Sequence, residues 1–466
     1  MKMTTPFPIP SARDSRFAFG QAIGFAATVW GYPLVETMRT CRLQTHARNG
    51  AEAAWWGPVD RLHHVQRAAI AADRDIVTPA NDLLYTTGWI NLKDGPRFLH
   101  VPSVKRHPGR YFVLALYDAW TNNFANPGVR ISDPEGELVV LIGPDAPTDL
   151  VFPSTARVLR SPTNLVWLIS RVVVGEDDVA EAQALQADIR IECPANTDHG
   201  HLPQAVTHWR GEVEDTVAAL VARPQDASII ASHFYANLCL ALEAAPPPPT
   251  DAGLAAWFAS GKLVPGSFFD WALLDQSLRD GLQQGLLDAA AHIINGSRSR
   301  AARPWAAHFG LGRYGSNYLT RALTAYKGLG ALSSDEAVYA MGDFDAEHQP
   351  LDGSNQYVLR FSPQDLPPVH AFWSLTLYDA DRFLYANGLC RYSLGDRTRS
   401  LQYDPDGGLT LVIRHDQPAE TSNWLPAPEG SFYLILRMYC PRPEARTWRI
   451  PPLQRLHAKG SEEAMG

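Results

Sequence analysis

The sequence predicts an α+β protein in which two duplicated antiparallel β-domains, sandwiches or barrels, are preceded and joined by helical segments. The first observation behind this prediction is a repeat: residues 109–119 end in Leu-Tyr-Asp-Ala, and residues 370–380 end in the same four residues, 261 positions later. The second is that each copy is followed by an Asp-Pro-acid-Gly sequence and a β-branched run. The third is a change to Ala, Leu and Gln between the copies, which favours helices.

The N-terminal region, residues 1–75, is predicted to be mostly helical after a proline-rich start, with a break at Trp55, Trp56 and Pro58. Residues 17–35 carry no charge, and this length is about what spans a bilayer. Interspersed Gly, Gln, Thr and Pro keep the stretch only moderately apolar, so we expect a buried amphipathic helix instead. Lys2 is followed by a polar, proline-bearing segment, so no signal peptide is expected and a cytoplasmic location is predicted.

The first β-domain is predicted over residues 76–175, where short β-branched and aromatic runs alternate with turn residues. Its clearest strands are residues 111–117, 137–142 and 165–174. A helical connector follows over residues 176–335, with Asp177 or Asp178 as the first N-cap. Four prolines at 246–249 are expected to end one of its helices at about Ala244.

The second β-domain is predicted over residues 336–452, with strands at 356–361, 371–378, 409–413 and 431–439. Residues 453–466 form a polar tail that is expected to fray. In both domains the repeated acidic sequence, 133–136 and 404–407, places Pro and Gly where a turn needs them. We therefore predict two tight hairpin turns whose acids are structural.

Composition excludes several classes of protein. The chain has 466 residues, of which 45% are hydrophobic and 19% charged, which is typical of a globular protein with real cores. A net charge of −8 and the lack of long basic runs argue against sequence-independent binding of nucleic acid. Five scattered cysteines without Cys-x-x-Cys spacing indicate reduced thiols and no disulfide framework.

Known catalytic motifs are missing from the sequence, and the most metal-like group is His199 and His201, with His208 further along. Imidazoles two positions apart on a strand would face one side and could join a third ligand. This pair, however, lies in a connector rich in turn residues, so surface histidines are the simpler interpretation. A metal-dependent jelly-roll enzyme therefore stays an alternative, and no organic cofactor is predicted.

The candidate catalytic segment is residues 391–397, which we interpret as having no counterpart in the first copy. A segment that breaks a duplication is a plausible place for function to diverge. Arg391 or Arg397 could hold a carboxylate, and Asp396 could act as acid or base, with Tyr378 beside them. The structural alternative is an Arg–Asp pair that fastens a long loop.

Aromatic and amide side chains cluster in the second β-domain and could line a pocket for a ring-shaped or apolar ligand. They could equally form the core of the domain. The substrate-binding candidates are Asn355, Tyr357, Trp373, Tyr392, Arg397 and Trp424.

The chain resembles a family of two-domain proteins. Gly31-Tyr-Pro-Leu-Val35, Asn81-Asp-x-x-Tyr85 and Leu114-Ala-Leu-Tyr-Asp118 are similar to the domain of unknown function numbered 1254. Tyr314-Gly-Ser-Asn-Tyr318, Leu351-Asp-Gly-Ser-Asn-Gln-Tyr357, Arg391-Tyr-Ser-Leu-Gly-Asp396 and Asn423-Trp-Leu-Pro-Ala-Pro428 are similar to its usual partner, the domain numbered 1214. The resemblance implies two jelly-roll-like β-sandwich domains joined and flanked by helices, and it implies no particular activity.

Two functions of different classes remain open at this point. One is an enzyme that acts on a small apolar or aromatic metabolite by proton transfer or carbonyl polarisation, as a hydrolase, lyase or isomerase. The other is a non-catalytic protein that binds a ligand or assembles into an oligomer. The expected partner is a small molecule, with a homo-oligomer possible and neither nucleic acid nor membrane expected.

Overall fold

The computed structural model describes residues 11–46, 57–74, 77–194, 200–266, 268–297 and 303–456. These residues form an α+β protein with eight α-helices and four β-sheets, which are mostly antiparallel. The helices are α1 (Ala12–Thr45), α2 (Val179–Asp188), α3 (Gln204–Thr207), α4 (Thr216–Ala222), α5 (Ala227–Ala244), α6 (Ala252–Ser260), α7 (Gln276–Ser297) and α8 (Tyr318–Gly328).

The first nine strands build two of the sheets, and the last nine build the other two. The first group is β1 (His63–His64), β2 (Leu83–Asn91), β3 (Arg97–Val101), β4 (Phe112–Asp118), β5 (Asn123–Ala125), β6 (Glu137–Ile142), β7 (Arg157–Arg160), β8 (Leu165–Val173) and β9 (Arg190–Glu192). The second group is β10 (Ala306–His308), β11 (Ala337–Gly342), β12 (Gln356–Phe361), β13 (Val369–Asp379), β14 (Ser393–Gly395), β15 (Leu409–Arg414), β16 (Trp424–Pro426), β17 (Phe432–Pro441) and β18 (Gln454–Leu456).

The two halves have the same strand order. Each has a five-stranded antiparallel sheet, β1-β2-β8-β4-β5 in the first half and β10-β11-β17-β13-β14 in the second. Each also has a four-stranded sheet, β7-β6-β3-β9 or β16-β15-β12-β18, with one parallel pair at the edge. Within each half, one face of the larger sheet and the smaller sheet share a hydrophobic core.

Strand register makes the two halves equivalent residue by residue. In the first half Arg171 on β8 lies opposite Tyr85 on β2 and Val113 on β4. In the second half Arg437 on β17 lies opposite Tyr339 on β11 and Ser374 on β13. The duplication therefore includes strands without a shared sequence motif: Tyr85 and Arg171 of the first half are equivalent to Tyr339 and Arg437 of the second.

The other face of each five-stranded sheet packs into a third core together with the helices and the opposite half. On β8, Leu168 belongs to the core of the first half, whereas Trp167 and Ile169 belong to the shared core. Across the junction the Tyr111 ring contacts those of Phe372 at 5.6 Å and Tyr439 at 5.4 Å. Because both faces of the central strands are covered, these strands are apolar at every position and do not alternate.

Most predicted elements are present with small shifts. Strands β6 and β12 match their predicted bounds, and the other predicted strands differ by one or two residues at an end. The prolines end α5 at Ala244 as expected. Strand β2 was not predicted. It is buried on both faces, and its Gly88 lies against the Arg61 backbone, where a Cβ would come within 2.8 Å of the carbonyl oxygen.

Several sequence expectations need correction. Residues 57–74 contain the short strand β1 and no helix, and β9 and β18 lie outside the β-domain bounds drawn from the sequence. The acidic sequences do form turns, since the amides of Gly136 and Gly407 donate to Asp133 and Asp404 at 2.9 and 2.8 Å. They are not hairpins, however, because the strands before and after each turn belong to different sheets.

The charge-free segment forms the buried middle of α1, as predicted from its spacing. Only one helix among the described residues is long and apolar enough to cross a membrane, Pro224–Ala244, and most of it is buried in the protein. Length and composition alone are weak evidence for a membrane span, since core helices satisfy the same criterion.

Helices α1 and α7 cross in close contact because glycines face each other. Gly20 and Gly24 on α1 meet Gly281 and Gly285 on α7, and a Cβ built on Gly285 would lie 2.4 Å from the Gln21 carbonyl oxygen. We expect Gly285→Ala to lower the free energy of unfolding by about 1–3 kcal/mol, because the helices must separate. Urea unfolding checks this, with Gly253→Ala as the control, since a Cβ there meets nothing within 4 Å. Equal stability of the two variants would contradict the close crossing.

Candidate functional site

A cavity of about 230 Å³ lies between the two five-stranded sheets and helix α8. Its walls combine apolar side chains with a few polar groups, as ligand sites commonly do. The apolar and aromatic residues are Tyr85, Trp167, Ile169, Leu311, Leu323, Leu329, Tyr339, Met341, Ile435 and Tyr439. The charged residues are Arg171, Lys327, Asp343 and Arg437.

The most unusual groups in this wall are two guanidinium groups in equivalent positions. Arg171 is 7% exposed and Arg437 is 4% exposed, and each lies within a strand. Within the described residues neither forms an ion pair with a carboxylate, and the Asp343 carboxylate is paired with Lys327 Nζ at 3.1 Å. Since arginine stays protonated in proteins, the cavity carries two buried positive charges without direct counterions.

The two arginines hold the halves together in a crossed arrangement. Arg171 Nη2 donates to the Gly330 carbonyl at 2.7 Å, and the Tyr117 hydroxyl donates to the same oxygen at 2.7 Å. Arg437 Nη2 donates to the Thr78 carbonyl at 2.8 Å. Each half thus binds the segment that leads into the central sheet of the other half.

A tyrosine also accompanies the contact between Arg437 and Thr78, as Tyr117 accompanies the one between Arg171 and Gly330. The Tyr378 hydroxyl donates to the Pro79 carbonyl at 2.7 Å, as Tyr117 does to Gly330. Each guanidinium group makes one further hydrogen bond. Arg171 donates to the Tyr117 hydroxyl at 3.3 Å, and Arg437 donates to Thr376 Oγ1 at 3.0 Å. Each group therefore uses two of its five donors. The other three donors of each group make no hydrogen bond within the described residues.

Tyrosine rings lie next to both guanidinium groups. The Arg171 and Arg437 guanidinium carbons lie 6.0 Å from the ring centres of Tyr85 and Tyr339, respectively. Burial raises the pKa of Tyr85 and of Tyr439, so both phenols keep their protons at neutral pH. The cavity therefore presents positive charge and neutral aromatic hydroxyls to whatever occupies it.

The segment at 391–397 does have a counterpart in the first half, which corrects the sequence interpretation. Gly128 pairs with Val113, and Gly395 pairs with the equivalent Ser374. A Cβ on either glycine would collide with a carbonyl oxygen of the neighbouring strand, at 2.5 and 2.3 Å. Counting from these glycines, Arg397 is equivalent to Arg130, and the six extra residues of the second half lie before Arg391.

The predicted catalytic residues lie apart from one another. Tyr378 contacts the cavity arginine, with the Arg437 guanidinium carbon 5.6 Å from its ring centre. Arg391 instead donates to the carbonyls of Thr421 and of Trp424, the latter at 3.0 Å. Asp396 accepts from the Trp373 amide at 3.2 Å. Of these three residues, only Tyr378 contacts a residue of the cavity wall.

The predicted substrate-binding residues mostly lie within the second half. Tyr357 and Trp373 belong to its hydrophobic core, and the Arg455 guanidinium donates to the side chain of Asn355. The Trp424 indole donates to the Arg414 carbonyl at 3.0 Å. The aromatic cluster is therefore largely core packing, as the alternative interpretation expected.

The last two candidates lie at the junction between the halves. Tyr392 packs into the shared core, and Arg397 Nη2 lies 3.9 Å from Asp178 Oδ2 in the first half. Arg399 pairs with Asp177 beside it. Asp178 precedes α2 but makes no side-chain cap hydrogen bond to it. These ion pairs fasten the loop that carries the candidate segment.

The histidine group is described only in part, because His199 lies outside the described residues. His201 is exposed, with Nδ1 3.6 Å from Asp94 Oδ2, and His208 is exposed on another segment. In the ranges that the structure describes, no three His, Cys, Asp or Glu side chains are grouped so that they could hold a metal.

Sequence reasoning missed Arg171, Arg437, Tyr85 and Tyr339 as site residues. A signal was nevertheless present, since each arginine is the one charged residue in a strand of mostly apolar and aromatic residues. A charge at the centre of such a strand is costly to bury and therefore points to a specific role.

Two family models match the chain in separate segments. Residues 59–193 match the model described as Protein of unknown function (DUF1254), and residues 336–443 match the one described as Protein of unknown function (DUF1214). Together the two matches cover more than half of the chain. The first match contains the adjacent strands β2 and β8 of one five-stranded sheet. The second contains the equivalent strands β11 and β17 of the other.

Among the solved structures that are similar to the chain, one supports the same fold. The VPA0106 protein from Vibrio parahaemolyticus is similar, with a TM-score of 0.65 and 22% identity over 94% of this chain and 100% of that chain. A putative uncharacterized protein from Burkholderia cenocepacia aligns with a TM-score of 0.42 and 11% identity over 96% of each chain. No curated protein sequence matches the chain.

Proposed function

Because the chain belongs to the proteins that join a DUF1254 domain to a DUF1214 domain, whose activity is unassigned, we propose its function from the cavity. The protein binds a small apolar or aromatic molecule that carries a carboxylate or another anionic group. The observation behind this proposal is the pair of buried guanidinium groups, Arg171 and Arg437, that line one cavity without ion-pair partners among the described residues.

The chemistry of the wall supports both parts of this ligand description. Guanidinium groups with free donors bind carboxylates through charge-assisted hydrogen bonds. The aromatic and aliphatic side chains that make up the rest of the wall favour a ring or a short hydrocarbon. At about 230 Å³ the cavity is smaller than the roughly 300–1,000 Å³ of drug-sized sites, so the ligand is small.

The enzymatic form of this proposal is favoured by a further observation at the same place. The guanidinium groups and the neutral phenols of Tyr85 and Tyr439 surround one cavity, and such donors can polarise a ligand carbonyl. We propose a reaction of the hydrolase, lyase or isomerase type that needs no organic cofactor. Without turnover, the same site would make the protein a binder of small acids.

The proposal is tested with matched acids and amides. We expect benzoate, phenylacetate and hexanoate to raise the melting temperature in a concentration-dependent way, because a ligand that binds the folded state stabilises it. The corresponding amides have the same shape without charge and are expected to give much smaller shifts. Following each acid by NMR during incubation would reveal turnover. Equal shifts for acids and amides, or none for any acid, would refute an anion-binding cavity.

Two further proposals concern the architecture of each half and the location of the protein. We propose that each half is a jelly-roll-like sandwich, which is supported by two sheets sharing one core and by mostly antiparallel pairing. We also propose a cytoplasmic location, which is supported by the five free cysteines.

A further inference from the structure

Two acidic residues occupy equivalent positions at the entrance to the central sheets. Asp82 precedes Tyr85 by three residues, and Glu336 precedes Tyr339 by three. The Val174 amide donates to the Asp82 carbonyl at 3.0 Å, and the equivalent Cys440 amide donates to the Glu336 carbonyl at 2.8 Å. The backbones thus match, and any difference between the two acids comes from the side chains around them.

Glu336 is fully partnered by the first half. It is 1% exposed, and its carboxylate accepts from the Tyr111 hydroxyl and from Arg130 Nε, both at 2.8 Å. A buried carboxylate with a cation and a hydroxyl donor is a satisfied structural ion pair. Nothing about this position requires a role beyond holding the two halves together.

Asp82 lacks the equivalents of these two partners. Phe372 stands where the first half has Tyr111, and Arg397, the equivalent of Arg130, points to Asp178. Both Asp82 carboxylate oxygens are buried and, within the described residues, neither has a hydrogen-bond partner. An acid whose symmetry mate is paired, but which is itself unpartnered, is expensive to keep unless it has another use.

A second buried polar group points at the same place. Ser374, which replaces Val113 of the first half, is 2% exposed, and its hydroxyl makes no hydrogen bond in the described structure. Burial raises the pKa of the Asp82 carboxyl, and the neighbouring Ser374 hydroxyl opposes this rise. The second half has therefore exchanged an apolar side chain for a proton donor and acceptor beside the unpartnered acid.

Asp396 links this group to the surface. It follows Gly395, which lies opposite Ser374, and it replaces Val129 of the first half. The residue is exposed, but Oδ1 turns inward to the Trp373 amide. This desolvation raises the pKa of the Asp396 carboxyl to about 6, and the charge of Asp82 adds to the rise against the effect of Arg397.

We propose that Asp82, Ser374 and Asp396 form a proton-exchange site at the junction of the halves, with Asp82 as its buried acid. The charge of Asp82 acts on Arg437, which lines the cavity, so the site lies directly behind the cavity wall. Its use in ligand chemistry rests on the proposed function, whereas the exchange site itself does not.

The proton transfer is balanced without any further reactant. A proton leaves the Asp396 carboxyl for the Ser374 hydroxyl, which releases its own proton to the Asp82 carboxylate. One O–H bond breaks and one forms at each step, and solvent water returns a proton to Asp396. The titratable or charged groups that face the pair are Arg437, Tyr85 and Tyr439 at Asp82 and Arg397 at Asp396.

The protonation of Asp82 can be measured without any ligand, by infrared spectroscopy of the protonated carboxyl band as a function of pH. Other buried carboxyls, Asp396 and Glu336 among them, also have raised pKa values, so the band of Asp82 is taken from the difference between the spectra of the parent and of Asp82→Asn. We expect this difference band to titrate above the ordinary aspartate value of about 4. Glu336→Gln, the matched change at the equivalent position, is expected to leave this band in place. A difference spectrum without this band, or a difference band with an ordinary midpoint, would overturn the proposal.

Two further variants test the path and protect against a misfolded Asp82→Asn. Ser374→Val copies the residue of the first half and is expected to move the midpoint of the band upward, because a stabilising hydroxyl is removed. Asp396→Asn is expected to slow hydrogen–deuterium exchange of the band at least several-fold. An unchanged midpoint in the first variant and an unchanged exchange rate in the second would each contradict the path.

The same samples separate this inference from the cavity proposal. Benzoate affinity reports the cavity, and the carboxyl band reports the exchange site. If the parent protein shows the band but does not bind benzoate, the proposed function is wrong and the exchange site stands. If it binds benzoate but lacks the band, the exchange site is wrong and the proposed function stands.

Discussion

Arg437→Met is expected to weaken the binding of benzoate, or of the tightest acid found, by roughly 30-fold or more. Removing one partner of a buried, hydrogen-bonded charge pair costs about 2–5 kcal/mol of binding free energy, and each 1.4 kcal/mol is about tenfold in affinity. Methionine has a similar length and keeps the apolar contacts of the arginine stem. Calorimetric titration of the variant and the parent measures the change directly.

Stability offers an internal check on this variant. The substitution removes the hydrogen bonds to Thr78 and Thr376, but it also removes a buried charge without an ion-pair partner, so we expect a modest net change in unfolding free energy. Arg171→Met should weaken binding in the same way, because Arg171 is equivalent. Arg360→Met is the control, since Arg360 pairs with Asp406 at the exposed surface. Unaltered affinity in both cavity variants would place the anion site elsewhere.

Arg130→Met is expected to lower the free energy of unfolding by about 2–4 kcal/mol at pH 8, because it leaves the buried Glu336 carboxylate with a single donor. Arg397→Met, at the equivalent position, is expected to cost less than about 1 kcal/mol, since its pair with Asp178 is partly exposed and 3.9 Å long. Urea unfolding of both variants measures the difference.

The pH dependence of the Arg130→Met effect has a definite sign. Burial already raises the pKa of Glu336, and losing the cation raises it further. A raised carboxyl pKa in the folded state means that the penalty is absent when the group is protonated and grows as pH rises through that pKa. The destabilisation should therefore shrink at pH 5. A penalty that is equal at both pH values would indicate lost packing and not lost charge pairing.

Local patterns in the sequence located seven of the eighteen strands of the described structure. Strands such as β6 and β12 could be located because β-branched runs end at Gly, Pro and Asp, and α5 ends where the prolines begin. The helical prediction for residues 1–75 was correct for α1 but wrong for residues 57–74, where His63 and His64 pair with strand β2.

The site was predicted less well than the fold, and the reason lies in the duplication. Apart from Tyr378, the residues of the repeated sequences were assigned to structure, and function was assigned to residues interpreted as unmatched. In the structure, repeated Tyr117 and Tyr378 bind the lead-in segments, and the equivalent Arg171 and Arg437 line the cavity. A duplicated fold brings equivalent faces together, so equivalent residues can build one site.

The sequence by itself determined that two similar β-domains exist, where their main strands lie, and that a helical region separates them. Those features follow from local periodicity and turn chemistry, which a linear chain displays directly. Only the tertiary structure decided which residues meet across the junction. Arg171 binds Gly330 across 159 residues, and Arg437 binds Thr78 across 359. Such partners depend on how two folded halves dock, and no local pattern specifies that docking.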